Sequence, residues 1–136
     1  MKTLLFCLMI VGVLGFGDNT WAAWEKIRVG QQFTHYVDRG TMVFAGDLVK
    51  MWVLDDYKTA QLTIYKKSFF SLRQQFEFHC TEKKGRGREA VAVAGSMGHG
   101  NVVWSDAFVE PWRAIVQGTM LAEYWTLACG VERPQG

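Results

Sequence analysis

The residues of this chain best equipped for chemistry are its cysteines, Cys7, Cys80 and Cys129, and its histidines, His35, His79 and His99. A zinc site needs about four ligands converging on one ion. The adjacent pair His79–Cys80 ends an alternating stretch, where neighbours point to opposite faces of a strand and cannot chelate together. A nucleophilic thiol needs a base partner and a lowered pKa, and the sequence nominates none. Once Cys7 is set aside as part of a leader, Cys80 and Cys129 form an even pair, the arrangement expected of a disulfide in an exported chain. Closing that loop of about 50 residues would stabilise the fold by roughly 4 kcal/mol.

Other reactive groupings yield to plainer readings. The stretch AGSMGHG (94–100) looks like a nucleophile elbow missing its first glycine. That motif works at a strand-to-helix turn of a large hydrolase sheet with Asp and His partners downstream, and here a strand follows. It also lacks the Lys-Ser/Thr of a phosphate loop, so a glycine-rich hairpin turn is expected. Asp55 and Asp56 in LDDYK diverge as sequence neighbours and suit turn chemistry. The three histidines lie on separate elements and read as surface residues. His79 and His99 would become haem or metal ligands only if brought together, for example across a dimer. A small-ligand, haem-like binding protein of the periplasm is therefore the second reading.

Recognition of a partner fits the residues better than catalysis does, and neither a catalytic set nor a cofactor is expected. Lys50 and Trp52 share the less apolar face of their segment, and a cation beside an aromatic on an open sheet face suits protein binding. The run KKGRGR supplies Lys83, Lys84, Arg86 and Arg88. It is short, broken by glycines and free of interleaved aromatics, unlike a nucleic-acid arm. It reads as a solvated hairpin loop offered to the same partner. The net charge of +2 is too small to imply a polyanion.

These residues must be positioned by one domain preceded by a leader. MKTLLFCLMIVGVLGF has a positive end and an apolar stretch, and Thr20 and Ala22 are small residues before Ala23. That is the layout of a cleaved signal peptide over 1–22, and its apolar run is too short to span a bilayer of roughly 20 residues. The remaining 23–136 shows no other membrane-length segment. Strands are expected at 24–29, 33–38, 41–45, 48–57, 69–80, 89–95 and 101–107, with a turn at DRG (38–40). Between 69 and 80 the pattern places Phe70, Leu72, Phe76, Phe78 and Cys80 on a buried face, with Ser71, Arg73, Gln75, Glu77 and His79 on a polar one. In TMLAEYWTLACG, Leu121, Trp125, Ala128 and Cys129 recur at helical spacing, with Thr119 as the start cap and Gly130 at the end. The small row Ala90, Ala92 and Ala94 suits a face beneath that helix; a central strand buried on both sides is the other reading. The expected fold is α+β: an antiparallel sheet with a C-terminal helix stapled to one face.

Taken in order, YVD (36–38), VKMWVLDDYK (49–58), SLRQQFEFHC (71–80), GHGNVV (98–103), Trp112 and Cys129 resemble the bacterial surface-adhesin protein E-like family. Two places depart from the family pattern: His79 stands where an acidic residue is common, and Gln117-Gly118-Thr119 replaces a Pro-Gly-Ser entry to the helix. The resemblance implies a sheet of about six strands with a disulfide-bonded C-terminal helix. It also implies a small exported protein of Gram-negative bacteria, in the periplasm or at the outer surface. A protein partner, such as a host extracellular-matrix protein, follows from the family name, and a homodimer is a further expectation.

Overall fold

The computed structural model describes residues 23–130. The expected leader, 1–22, and the last six residues lie outside the described residues. Seven strands follow in order: β1 (Glu25–Val29), β2 (Phe33–Ala45), β3 (Leu48–Leu62), β4 (Ser68–His79), β5 (Lys84–Val93), β6 (Val102–Asp106) and β7 (Arg113–Ala114). Among the described residues one α-helix, α1 (Met120–Cys129), follows the strands. The sheet runs β1-β2-β3-β4-β5-β6 with β7 also on β5, and all its pairings are antiparallel. Short turns and consecutive pairing require no crossover helix.

Two expected strands merge into one. The DRG signal at 38–40 makes a bulge, not a turn, with the register shifting between Asp38 and Val43. Asp38 satisfies it locally, accepting from the Gly40 amide at 2.9 Å, and Thr41 Oγ1 accepts from the Trp52 amide at 3.0 Å. A bulge inserts residues without ending the pairing. β3 likewise runs beyond its expected end, so Asp55 and Asp56 lie within a strand and not in a turn.

Thr119 caps α1 by accepting from the Ala122 amide at 3.2 Å. The preceding Gly118 has φ +82°, a conformation that favours glycine. The helix lies over β2, β3 and β4, where Tyr124 and Ala128 pack with Val37, Val49, Met51, Val53, Phe76 and Phe78. The disulfide joins Cys80, just past β4, to Cys129 at the helix end. The alanine row of β5 falls outside this cluster. Ala92 is instead paired with Leu72 and Trp104, and Ala92, Val91 and Val93 are all buried. The strand is thus central and covered on both sides, and does not form a bed for the helix.

The opposite sheet face is also partly covered. Ser71 and Glu77, expected on a polar face, are buried. The Ser71 hydroxyl donates to the Gly95 carbonyl at 2.6 Å and accepts from the Gly98 amide at 2.9 Å, while Asp56 accepts from the Met97 amide at 2.8 Å. These bonds tie the 95–99 loop onto the sheet, so AGSMGHG is the expected connection between two paired strands.

Candidate protein-binding face

Cross-strand partners in a sheet share a face, so the register assembles the site. On the face away from α1, Lys50 of β3, Glu77 of β4 and Arg86 of β5 form one row. Trp52 and Gln75 form the next, beside Glu89. His79 and Lys84 stand on the other side of the first row. Lys50 and Trp52 are half-buried, as an apolar body with a polar rim would be.

KKGRGR is not a solvated loop. Only Lys83 belongs to the turn; Lys84 to Arg88 are in β5. Glycine and arginine alternate for a packing reason. A Cβ on Gly85 would sit 3.1 Å from the Phe78 ring and 3.3 Å from Ile115, and one on Gly87 would sit 3.0 Å from Glu110. The glycines therefore face the packed side, and the cations between them face the other.

Glu77 anchors those cations. Its side chain is buried, at 3% exposure for the residue, and it accepts from Arg86 at 2.6 and 2.8 Å and from Arg88 at 3.2 Å. Burial on its own would raise the Glu77 carboxyl, but the Arg86 bond and charge, with Arg88 behind them, hold it below its ordinary value. Trp112 covers the same arginine, its ring centroid 4.0 Å from the Arg86 guanidinium carbon, and stands edge-on to His79 at 6.3 Å. The result is a preorganised cation–aromatic surface: two arginines fixed by one buried carboxylate, with Lys50, Trp52 and Trp112 around them.

Not every expected residue joins it. Lys83 turns to the helix side, its Nζ 6.0 Å from the Trp125 ring. Lys84 pairs with Glu82 at 3.1 Å, and this Lys84 bond and charge lower the Glu82 carboxyl. His79 Nδ1 accepts from the Glu82 amide at 3.1 Å, which places its ring proton on Nε2. His99 is exposed in the 95–99 loop, next to the Ser71 end of β4. His79 and Ser71 are eight residues apart on one strand, roughly 26 Å at about 3.3 Å per residue. The two histidines are not brought together within one chain. Among the described residues no group of three or more His, Cys, Asp and Glu could hold a metal ion.

His35 is not a surface residue. Its Nδ1 lies 2.8 Å from Asp55 Oδ1 and 3.0 Å from the Tyr124 hydroxyl, with both the histidine and aspartate side chains 12% exposed. Burial raises the Asp55 carboxyl, against the pull of His35. Burial, then the Asp55 and Glu123 charges, push the Tyr124 hydroxyl well up. This triad links β2, β3 and α1 beneath the helix. The roles of Glu77, Trp112 and this triad escaped sequence reasoning, which reads Glu77 as a polar-face residue, Asp55 as a turn residue and His35 as a surface histidine, and names Trp112 only for the family resemblance.

No helix among the described residues is long and apolar enough to cross a membrane. Comparison with curated proteins gives no significant match. Among solved structures, Haemophilus influenzae protein E has the same fold, with TM-score 0.61 at 12% identity, covering 79% of this chain and 93% of that one. A second structure, protein E from non-typeable Haemophilus influenzae, gives TM-score 0.59 at 13% identity, covering 84% and 80%. The family model of surface-adhesin protein E matches residues 24–130, the whole of the sheet and helix just described. By that match the chain belongs to the surface-adhesin protein E family.

Proposed function

We propose that this protein is an exported, non-catalytic adhesin-like module of a Gram-negative envelope, binding a protein partner through the Lys50, Trp52, Arg86, Arg88 and Trp112 face. Family membership supports the class of activity. The observation that carries the placement is the Arg86 clamp. A buried Glu77 and an overlying Trp112 hold this cation in one position. Fixed arginine and tryptophan side chains lose little entropy on binding and dominate protein interfaces. The Cys80–Cys129 disulfide suits an oxidising compartment, the periplasm or the outer surface, reached through removal of residues 1–22.

The partner class is a host extracellular-matrix protein, as the adhesin family name suggests, and the protein itself acts as a monomer or homodimer. Wild-type protein and a Lys50→Ala, Trp52→Ala variant should be compared on immobilised matrix proteins. Capture by wild type and its loss in the folded variant support the proposal. Equal capture by both would remove the binding site from this face. The haem-like reading has no observation in its favour, since His79 is engaged by the Glu82 amide and His99 lies far from it. A haem titration of wild type against His79→Ala and His99→Ala tests it directly.

A further inference from the structure

The β3–β4 hairpin extends beyond its neighbours. Pairing with β2 ends at Phe33–Tyr57 and pairing with β5 at Ser71–Val93. Past these points Gln61 and Leu62 pair only with Phe69 and Ser68, after a register slip between Asp56 and Gln61. A two-stranded arm therefore projects from one end of the sheet.

Its tip is apolar. Leu62 is 68% exposed, Ile64 81% and Tyr65 71%. Such side chains at a flexible loop end would mean little, but this tip is built. The Thr63 amide donates to the Lys67 carbonyl at 2.9 Å, and the Lys66 amide donates to the Thr63 carbonyl at 2.9 Å. Thr63 Oγ1 accepts from the Tyr65 and Lys67 amides at 3.3 and 3.1 Å. Lys66 takes φ +61° to close the turn. Ile64 and Tyr65 are thus presented on a turn that these four hydrogen bonds hold in shape. Behind them a groove formed by Phe69, Leu72, Ala92 and Trp104 continues the apolar surface.

Along the arm itself the charge has one sign. Lys66 and Lys67 flank the tip and Lys58 stands at the root of the arm, all exposed. No Asp or Glu occurs between Tyr57 and Phe76. An apolar point set among cations matches a bilayer interface, where anionic headgroups overlie hydrocarbon, and a tyrosine suits the boundary between the two. A soluble polyanion would use the lysines and leave Ile64 and Leu62 in water; a second apolar protein surface would leave the lysines unpaired.

We propose that this hairpin tip is a membrane-docking arm that inserts Leu62, Ile64 and Tyr65 into the surface of a bilayer bearing anionic phospholipids, with Lys66 and Lys67 on the headgroup phosphates. The arm is independent of the partner-binding face, which lies toward the opposite end of β3 at Lys50 and Trp52.

Flotation of the disulfide-bonded protein with vesicles tests it, comparing phosphatidylglycerol-rich vesicles with phosphatidylcholine alone. Wild type should float with the anionic vesicles and release as salt rises. A Lys66→Gln, Lys67→Gln variant should bind about fivefold more weakly for each lysine removed. An Ile64→Ser, Tyr65→Ser variant should lose about tenfold or more. The proposal is overturned by absence of flotation, by equal flotation on neutral vesicles, or by binding indifferent to Ile64 and Tyr65. Two further outcomes also overturn it and name another occupant. Heparin retention that depends on the lysines alone, without flotation, marks a soluble polyanion. A dimer that the Ile64→Ser, Tyr65→Ser variant dissociates in ultracentrifugation, again without flotation, marks a second copy.

Discussion

The guanidinium carbon of Arg86 lies 4.0 Å from the centre of the Trp112 indole, so a residue of β5 is covered by the segment that leads to β7. The contact gives the cation a fixed position without removing it from the surface. Beneath it, Glu77 supplies the opposing charge at 2.6 Å.

Glu77 should therefore govern the acid limb of stability. Its folded value lies below the ordinary 4.5, so its ion pairs contribute fully above that pH and are lost as pH falls through the lowered range. A Glu77→Gln variant should lose about 2 kcal/mol at neutral pH, because two arginines lose the negative charge that they share, and should be flatter than wild type below pH 4.5. Asp55 has the opposite sign. Its value is raised above 3.8 by burial, so its ionisation weighs against the fold as pH rises. Urea titrations across pH 3–7 would measure both.

Ser71 joins the sheet to the 95–99 loop through two bonds from one hydroxyl. Ser71→Ala should cost about 1–3 kcal/mol, since it takes the partner from the partly buried Gly95 carbonyl and Gly98 amide. Proteolysis between residues 95 and 101 should quicken in that variant.

The Cys80–Cys129 bond spans a sequence separation of 49. Removing it with a Cys80→Ala, Cys129→Ala variant should lower stability by about 4 kcal/mol in the loop-entropy description. The melting temperature of the oxidised and reduced forms of wild type should differ in the same direction.

Tyr124 connects α1 to His35 at 3.0 Å. Tyr124→Phe keeps the ring packing against Phe76 and removes only that bond, so a loss of about 1 kcal/mol is expected. A loss of several kcal/mol would mean that the triad acts as a unit.

The strand periods and the helix with its Thr119 cap were readable from residue order, because each depends on local alternation or spacing; the cysteine pairing was readable because removal of the leader leaves an even pair. What covers a face was not. Ser71 and Glu77 have the right period for a polar face, yet a distant loop buries Ser71 and Arg86 with Arg88 neutralises Glu77. Lys84 to Arg88 look like a loop because glycine and charged residues are poor strand formers. The reasons they pair, Phe78 behind Gly85 and Trp112 over Arg86, come from other parts of the chain. His35 and Asp55 seemed unrelated at a separation of 20 residues until the β2–β3 register placed them opposite each other. Of the candidate site, Lys50, Trp52, Arg86 and Arg88 were legible as types; their shared face and the Glu77–Trp112 clamp were not.

The most direct test of the binding face is hydroxyl-radical footprinting of the disulfide-bonded protein, free and in complex with a captured matrix protein, read by mass spectrometry on each tryptophan. Oxidation of Trp52 and Trp112 should fall severalfold on binding, while Trp104 and Trp125, on the helix side of the sheet, keep their free rates. Unchanged Trp52 and Trp112 with protection elsewhere would contradict the account.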